Sequence, residues 1–154
     1  MRLYLVQHGE AKSKEEDPKR LLTDKGVRDV ANAGTFLKPR GIRVGVIRHS
    51  TKVRAAQTAS LLASAIEARE GVVECEGLAP LDPVEPVCRE IEGAEEDLMI
   101  VGHLPFLSKL ASMLIAGAQE TPVIAFQQGG VVCLDRSEDR GWTVRWMVTP
   151  ELLG

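Results

Sequence analysis

The chain has 154 residues, 44% hydrophobic and 27% charged, which suits one globular domain over residues 1–154 and excludes a wholly disordered chain. A net charge of −3, with one Tyr and three Phe as stacking platforms, argues against a general nucleic-acid binder. No apolar run approaches the ~18–20 residues of a membrane span, and the apolar stretch after Met1 is too short for a signal peptide.

Leu3 to Val6 is a short apolar run of the kind a buried strand carries. A helix is expected from about Asp24 to Lys38, with Val27, Val30, Ala31, Gly34 and Leu37 on its inner face. Thr23 is placed to cap it, and Leu22 with Val27 has the spacing of a hydrophobic staple. Pro39 and Gly41 end it. Val44 to Arg48 reads as a second strand, and Ser50 as the N-cap of a helix running to about Ala68. Val72 to Cys75 is a candidate third strand. Pro80, Pro83 and Pro86 then lead to a short acidic helix over Val87 to Ala94.

Leu98 to Val101 is the strongest buried strand, and it runs into Gly102-His103-Leu104-Pro105. Pro105 suits the first turn of the next helix, which carries Leu107, Leu110, Ala111, Leu114 and Ile115. Gly130 to Asp135 and Trp142 to Val148 read as closing strands joined by a polar turn, hairpin-fashion. Strands alternating with helices predict an α/β layered fold, and the closing hairpin makes its sheet mixed.

Three strand ends carry polar residues suited to chemistry. The first strand ends in Gln7-His8-Gly9, the second leads into Ser50-Thr51-Lys52-Val53-Arg54, and the strongest ends in Gly102-His103. In open α/β sheets ligands collect outside the carboxyl ends of strands, where helix N-termini favour anions. Arg54 lies in a first helical turn, a poor place for a cation unless an anion joins it. Taken singly, a strand-end His is more often structural and an Arg more often a surface charge; His49 fits no pattern and reads as structural. Together, His8 before a permissive Gly9 suits a nucleophile facing phosphate, and His103 with Arg54 suits stabilisation of its equatorial oxygens. Residues 12–54 hold twelve Lys and Arg against five Asp and Glu, a net of +7, whereas residues 67–97 carry −9. Solvated faces account for such runs as a rule; a basic rim around an anion site is the sharper alternative.

Other chemistries fit less well. There is no Gly-rich loop ending in Gly-Lys-Ser/Thr, and no His pair has metal-ligand spacing. A thiolate phosphatase needs Arg six residues after its Cys, where this chain has Leu81, Ala94 and Asp139. The three cysteines, Cys75, Cys88 and Cys133, are odd in number and far apart, which suggests a reducing compartment and the cytoplasm.

Four motifs in chain order resemble the histidine phosphatase superfamily, with its phosphoglycerate-mutase-like fold, and within it the small SixA-type phosphohistidine phosphatases. They are Gln7-His8-Gly9 after an apolar strand, Leu22-Thr23-Asp24-Lys25-Gly26 before a helix, the segment Ser50 to Thr58, and Gly102-His103-Leu104-Pro105. The resemblance implies a three-layer α/β/α sandwich around a mostly parallel, mixed sheet. It also implies that His8 is a nucleophile forming a phosphohistidine intermediate, with no metal and no cofactor. Arg54 and a cationic His103 would bind the phosphoryl oxygens. Gln7, Gly9, Arg20 and Ser50 would complete the phosphate pocket.

Gln7 departs from the superfamily's Arg, which removes a charged clamp; Arg20 is placed to restore part of that charge. Large members take a general acid from an inserted segment that this chain lacks, and Asp17, Glu76 and Asp82 are the candidates here. An imidazole leaving group needs less protonation than an alkoxide, which favours phosphohistidine on a protein, such as a phosphotransfer domain or phosphocarrier. A small-molecule phosphomonoesterase and a non-catalytic phosphate-binding module are the alternatives.

Overall fold

Along β1 (Arg2–Gln7), Leu3 and Leu5 face one side of the sheet and Tyr4 and Val6 the other, and all four are buried. That pattern dictates a sheet covered on both faces. The computed structural model describes residues 1–154. After β1 come α1 (Asp24–Leu37), β2 (Arg43–Val44), β3 (Val46–His49), α2 (Val53–Leu62), β4 (Glu67–Ala68) and β5 (Val72–Glu74). Then follow α3 (Glu85–Gly93), β6 (Leu98–Gly102), α4 (Phe106–Ala116), β7 (Val131–Ser137) and β8 (Gly141–Val148).

The main sheet has six strands in the order β5-β3-β6-β1-β7-β8. The first four are mutually parallel, and β7 and β8 close the sheet antiparallel. One core joins Leu3, Leu5, Leu98 and Ile100 to Val87 and Ile91 of α3 and to Phe106, Leu107 and Leu110 of α4. The other joins Tyr4, Val6, Met99 and Val101 to Val30, Ala33 and Leu37 of α1 and to Ala55, Ala59 and Leu62 of α2. This is the expected three-layer α/β/α sandwich with a mostly parallel, mixed sheet.

Several local expectations change. Thr23 caps α1 as foreseen, its hydroxyl accepting from the Gly26 amide at 3.0 Å. The buried face of α1, however, is Gly26, Val30, Ala33, Gly34 and Leu37, while Val27 and Ala31 face out. The cause is Gly26, where an added Cβ would lie 2.1 Å from the Glu10 carbonyl oxygen. That contact brings the helix so close to the loop that its stripe runs through the glycine, and Val27, the expected staple partner of the buried Leu22, is left 38% exposed.

α2 ends at Leu62 rather than near Ala68, because Glu67 and Ala68 pair in parallel with Arg43 and Val44 as a separate two-stranded ribbon. Its N-cap is Lys52, not Ser50, although the Ser50 hydroxyl still accepts the Lys52 amide at 3.2 Å. The acidic helix starts two residues early, at Glu85, with Pro86 in its first turn. Pro105 stands just before α4, at its N-cap position.

Candidate active site

The carboxyl ends of three adjacent parallel strands bring the expected residues together. His8 follows β1, and its amide donates to the Gly102 carbonyl at the end of β6 at 3.0 Å. Ser50 follows β3, and its amide donates to the Val101 carbonyl at 3.3 Å. His103 follows β6 directly. The His8 and His103 rings stand 5.0 Å apart between centroids, and the Ser50 Oγ lies 2.6 Å from His103 Nε2. All three side chains are buried. His49 packs away as a structural residue, its Nδ1 being 2.7 Å from the Ser50 carbonyl oxygen.

The His8 ring is held through one nitrogen. Its Nδ1 lies 2.7 Å from the Gly9 carbonyl oxygen. A carbonyl oxygen only accepts, so Nδ1 carries the proton and Nε2 keeps its lone pair. Burial lowers the His8 pKa, and the nearby Arg54 and Arg20 charges lower it further against the opposing effect of the Gly9 bond. The ring is therefore neutral near pH 7, with its Nε2 lone pair free.

Several polar members of the Ser50–Thr58 segment are engaged near that ring. Arg54 is half-buried in the first turn of α2 with an unpartnered, buried Nε. Its pKa is lowered by burial and by Arg20. A guanidinium at a helix N-terminus, desolvated and without a carboxylate, is built to meet an anion. One turn on, Thr58 donates to the Arg54 carbonyl at 2.8 Å and accepts the Gly9 amide at 3.0 Å, which ties α2 to the backbone next to His8. Gln57 Oε1 accepts the Leu22 amide at 2.8 Å and anchors the loop that crosses the site. The i, i+4 spacing of Arg54 and Thr58 was the sequence signal for this shared helix face.

Gly9 and Ser50 thus spend their polar groups inside the chain, on Thr58 and His103, rather than leaving them free for phosphate. What Gly9 contributes is space: a Cβ there would lie 2.9 Å from Val30 Cγ2 and 3.0 Å from the Gly26 carbonyl oxygen. Gln7 is buried with an unpartnered Oε1. His103 is buried with an unpartnered Nδ1. Together with Arg54 Nε, these are three of the five buried side-chain polar atoms without a partner in the chain. Buried polar groups are normally satisfied, so each of these three atoms is left able to take a partner from outside the chain.

Arg20 reaches the site electrostatically, acting on His8, Arg54 and His103. It has a left-handed backbone, φ 53°, which costs a non-glycine residue about 1–2 kcal/mol. Asp17 holds that turn, its carboxylate accepting the amides of Lys19 at 3.0 Å and Leu21 at 3.1 Å on either side of Arg20. Those two bonds lower the Asp17 pKa. A carboxylate kept ionised by its own loop is a poor proton donor, so the acid role expected of Asp17 gives way to one in shaping the loop. Glu76 and Asp82 line a cavity with Thr51 and Pro83 whose wall includes none of His8, Arg54 and His103.

The expected cationic state of His103 is also revised. Burial, His8, Arg54, Lys52 and Arg20 together push its pKa down to about 3, so in the chain by itself it is neutral. No group of three or more His, Cys, Asp and Glu is arranged to hold a metal ion, and no helix is long and apolar enough to cross a membrane.

Known structures share this architecture. The protein histidine phosphatase SixA, solved with tungstate, superposes with a TM-score of 0.84 at 23% identity over 100% of both chains. A protein from Agrobacterium tumefaciens described as a SixA phosphohistidine phosphatase gives 0.76 at 21% identity, over 96% of this chain and 97% of its own. The alpha-ribazole phosphatase from Shigella flexneri gives 0.71 at 19% identity, over 97% of each chain. At these identities the likeness is one of fold. A search of curated protein sequences finds no match. Residues 3–82, which carry His8, Arg20, Ser50 and Arg54, match the Histidine phosphatase superfamily (branch 1). With more than half of its length matched, the chain belongs to the histidine phosphatase superfamily.

Proposed function

We propose that the protein is a metal-independent phosphohistidine phosphatase that acts on a phosphorylated protein through a phosphohistidine intermediate on His8. The observation that carries the nucleophile is the Nδ1–H of His8 donating to the Gly9 carbonyl, which leaves Nε2 as the free lone pair. His8 Nε2 attacks phosphorus and forms an N–P bond as the N–P bond of the substrate breaks. The departing imidazole keeps that electron pair and takes a proton from solvent. Water then attacks the phosphoryl group on His8, a P–O bond forms, inorganic phosphate leaves and Nε2 regains its lone pair. Arg54 and His103 stabilise the equatorial oxygens in both steps.

The substrate class rests on the charges around the histidines. Besides His8, the groups that act on His103 are Arg54, Lys52 and Arg20, none of them a carboxylate, and the carboxylate of Asp17 is committed to its loop. An alkoxide leaving group needs a strong proton donor, whereas imidazole, with a pKa of about 6.5, leaves with little help. A phosphocarrier or phosphotransfer domain presents such a group, and the cytoplasm, where such carriers meet a reducing environment, is the proposed setting.

The test compares kcat/KM for a phosphohistidine protein with that for a panel of small phosphate esters, with and without a chelator. A preference of at least about a hundredfold for the protein, insensitive to chelation, is expected. Equal or better efficiency on an ester makes the chain a small-molecule phosphatase, the reading that its fold likeness to the alpha-ribazole phosphatase favours. Phosphate binding without turnover leaves a binding module.

A further inference from the structure

Ser50 is completely buried, so its hydroxyl proton has to find an acceptor inside the chain. Its Oγ has two partners. The Lys52 amide, at 3.2 Å, can only donate to it. The other is His103 Nε2 at 2.6 Å. That nitrogen is the one acceptor available to the hydroxyl, so the bond runs from Ser50 O–H to Nε2. An imidazole that accepts at Nε2 carries its proton on Nδ1, and Nδ1 of His103 is the buried atom with no partner in the chain. The opposite arrangement, with Nε2–H donating to Oγ, would strand both the Ser50 proton and the Nδ1 lone pair.

We infer that Ser50 is a positioning residue that locks His103 in the Nδ1–H tautomer, so that His103 meets the phosphoryl group as a neutral N–H donor through Nδ1. The inference rests on the phosphatase reading above only for what Nδ1 donates to; the tautomer follows from the chain itself. It also explains how His103 can serve a phosphoryl group without a positive charge, in keeping with its depressed pKa. The two rings then share one tautomer and present opposite edges. His8 turns its Nδ1–H to the backbone and offers the Nε2 lone pair, whereas His103 turns Nε2 to Ser50 and offers the Nδ1–H.

The experiment is NMR of the full chain with isotope-labelled histidine nitrogens at neutral pH, in the native protein and in Ser50→Ala. In the native protein His8, His49 and His103 should all show Nδ1 protonated, since the first two also face backbone carbonyls through Nδ1. In Ser50→Ala only His103 should lose that pattern, and kcat/KM should fall about tenfold, with recovery in Ser50→Thr. Added inorganic phosphate should shift His103 Nδ1 and leave its Nε2 in place. Nε2 protonated in native His103, or a tautomer indifferent to Ser50→Ala, overturns the role of Ser50 whatever the substrate proves to be. The native spectrum decides this even if the Ser50 variants fail to fold. No response of either nitrogen to phosphate overturns the donor role of His103, while the phosphatase reading stands or falls on the turnover assay.

Discussion

Replacing Gly26 with alanine puts a methyl group against the backbone that follows His8. The added Cβ would lie 2.1 Å from the Glu10 carbonyl oxygen and 3.0 Å from the Glu10 nitrogen and carbonyl carbon. A carbon–oxygen contact relaxes to about 3.3 Å, so helix and loop must part by about 1 Å. Overpacking costs about 1–3 kcal/mol, and a clash with backbone rather than a flexible side chain belongs at the upper end. The better helix propensity of alanine returns up to about 1 kcal/mol, which leaves a net loss of about 2 kcal/mol. For a chain of this size that lowers Tm by about 4–8 °C. Turnover should fall as well, by up to about a hundredfold for a displacement of this order next to His8. Gly34→Ala in the same helix is the control. Its Cβ would meet only Ala65 Cβ at 3.4 Å, so stability should hold or rise by up to about 1 kcal/mol. Thermal unfolding by circular dichroism, with turnover measured in parallel, reads both variants. A Gly26→Ala protein with the native Tm and native turnover would refute the close approach of α1 to the loop after His8.

Arg54→Ala should lower kcat/KM by about two to three powers of ten, as for removal of one preorganised donor, and unchanged kinetics would place Arg54 outside the pocket. Stability should fall on acidification below pH 6.5, because the unfolded chain protonates its histidines there while burial keeps His8 and His103 neutral, the latter down to about 3. Urea midpoints across this range should decline less steeply in His103→Asn; an equal slope would mean that His103 is not held neutral by the fold. Thr58→Val should strand the buried Gly9 amide and cost about 1–3 kcal/mol in urea unfolding, with no loss expected only if that amide finds another acceptor.

Much of the site was legible because its residues sit where topology concentrates function. His8 and His103 lie just past mainly apolar strands and Ser50 follows β3, which turns polar at Arg48, and such strand ends show in the sequence as a change from apolar to polar residues. What the sequence hid was decided by contact at short range. A search for large apolar residues places Val27 and Ala31 inside α1, yet the closest packing runs through Gly26, which has no side chain to signal it. Ser50 looked like a helix cap and a phosphate ligand because its hydroxyl suits both; its distance from His103 Nε2 decides its role. Asp17 was a candidate acid by type alone, and the two amides it accepts are backbone groups that no residue name reveals. Leu62 ends α2 because the following residues pair with Arg43 and Val44, a contact distant in sequence.

The most direct measurement is to mix the native chain with a protein phosphorylated on histidine, quench with alkali within a single turnover, and map the label by mass spectrometry. The account predicts an acid-labile phosphoryl group on His8 that appears before free phosphate, builds up when Arg54 or His103 is replaced only if those changes slow its hydrolysis more than its formation, and is absent from His8→Ala along with turnover. Turnover by His8→Ala at the native rate, or a phosphoryl group trapped on any other residue during native turnover, would contradict it.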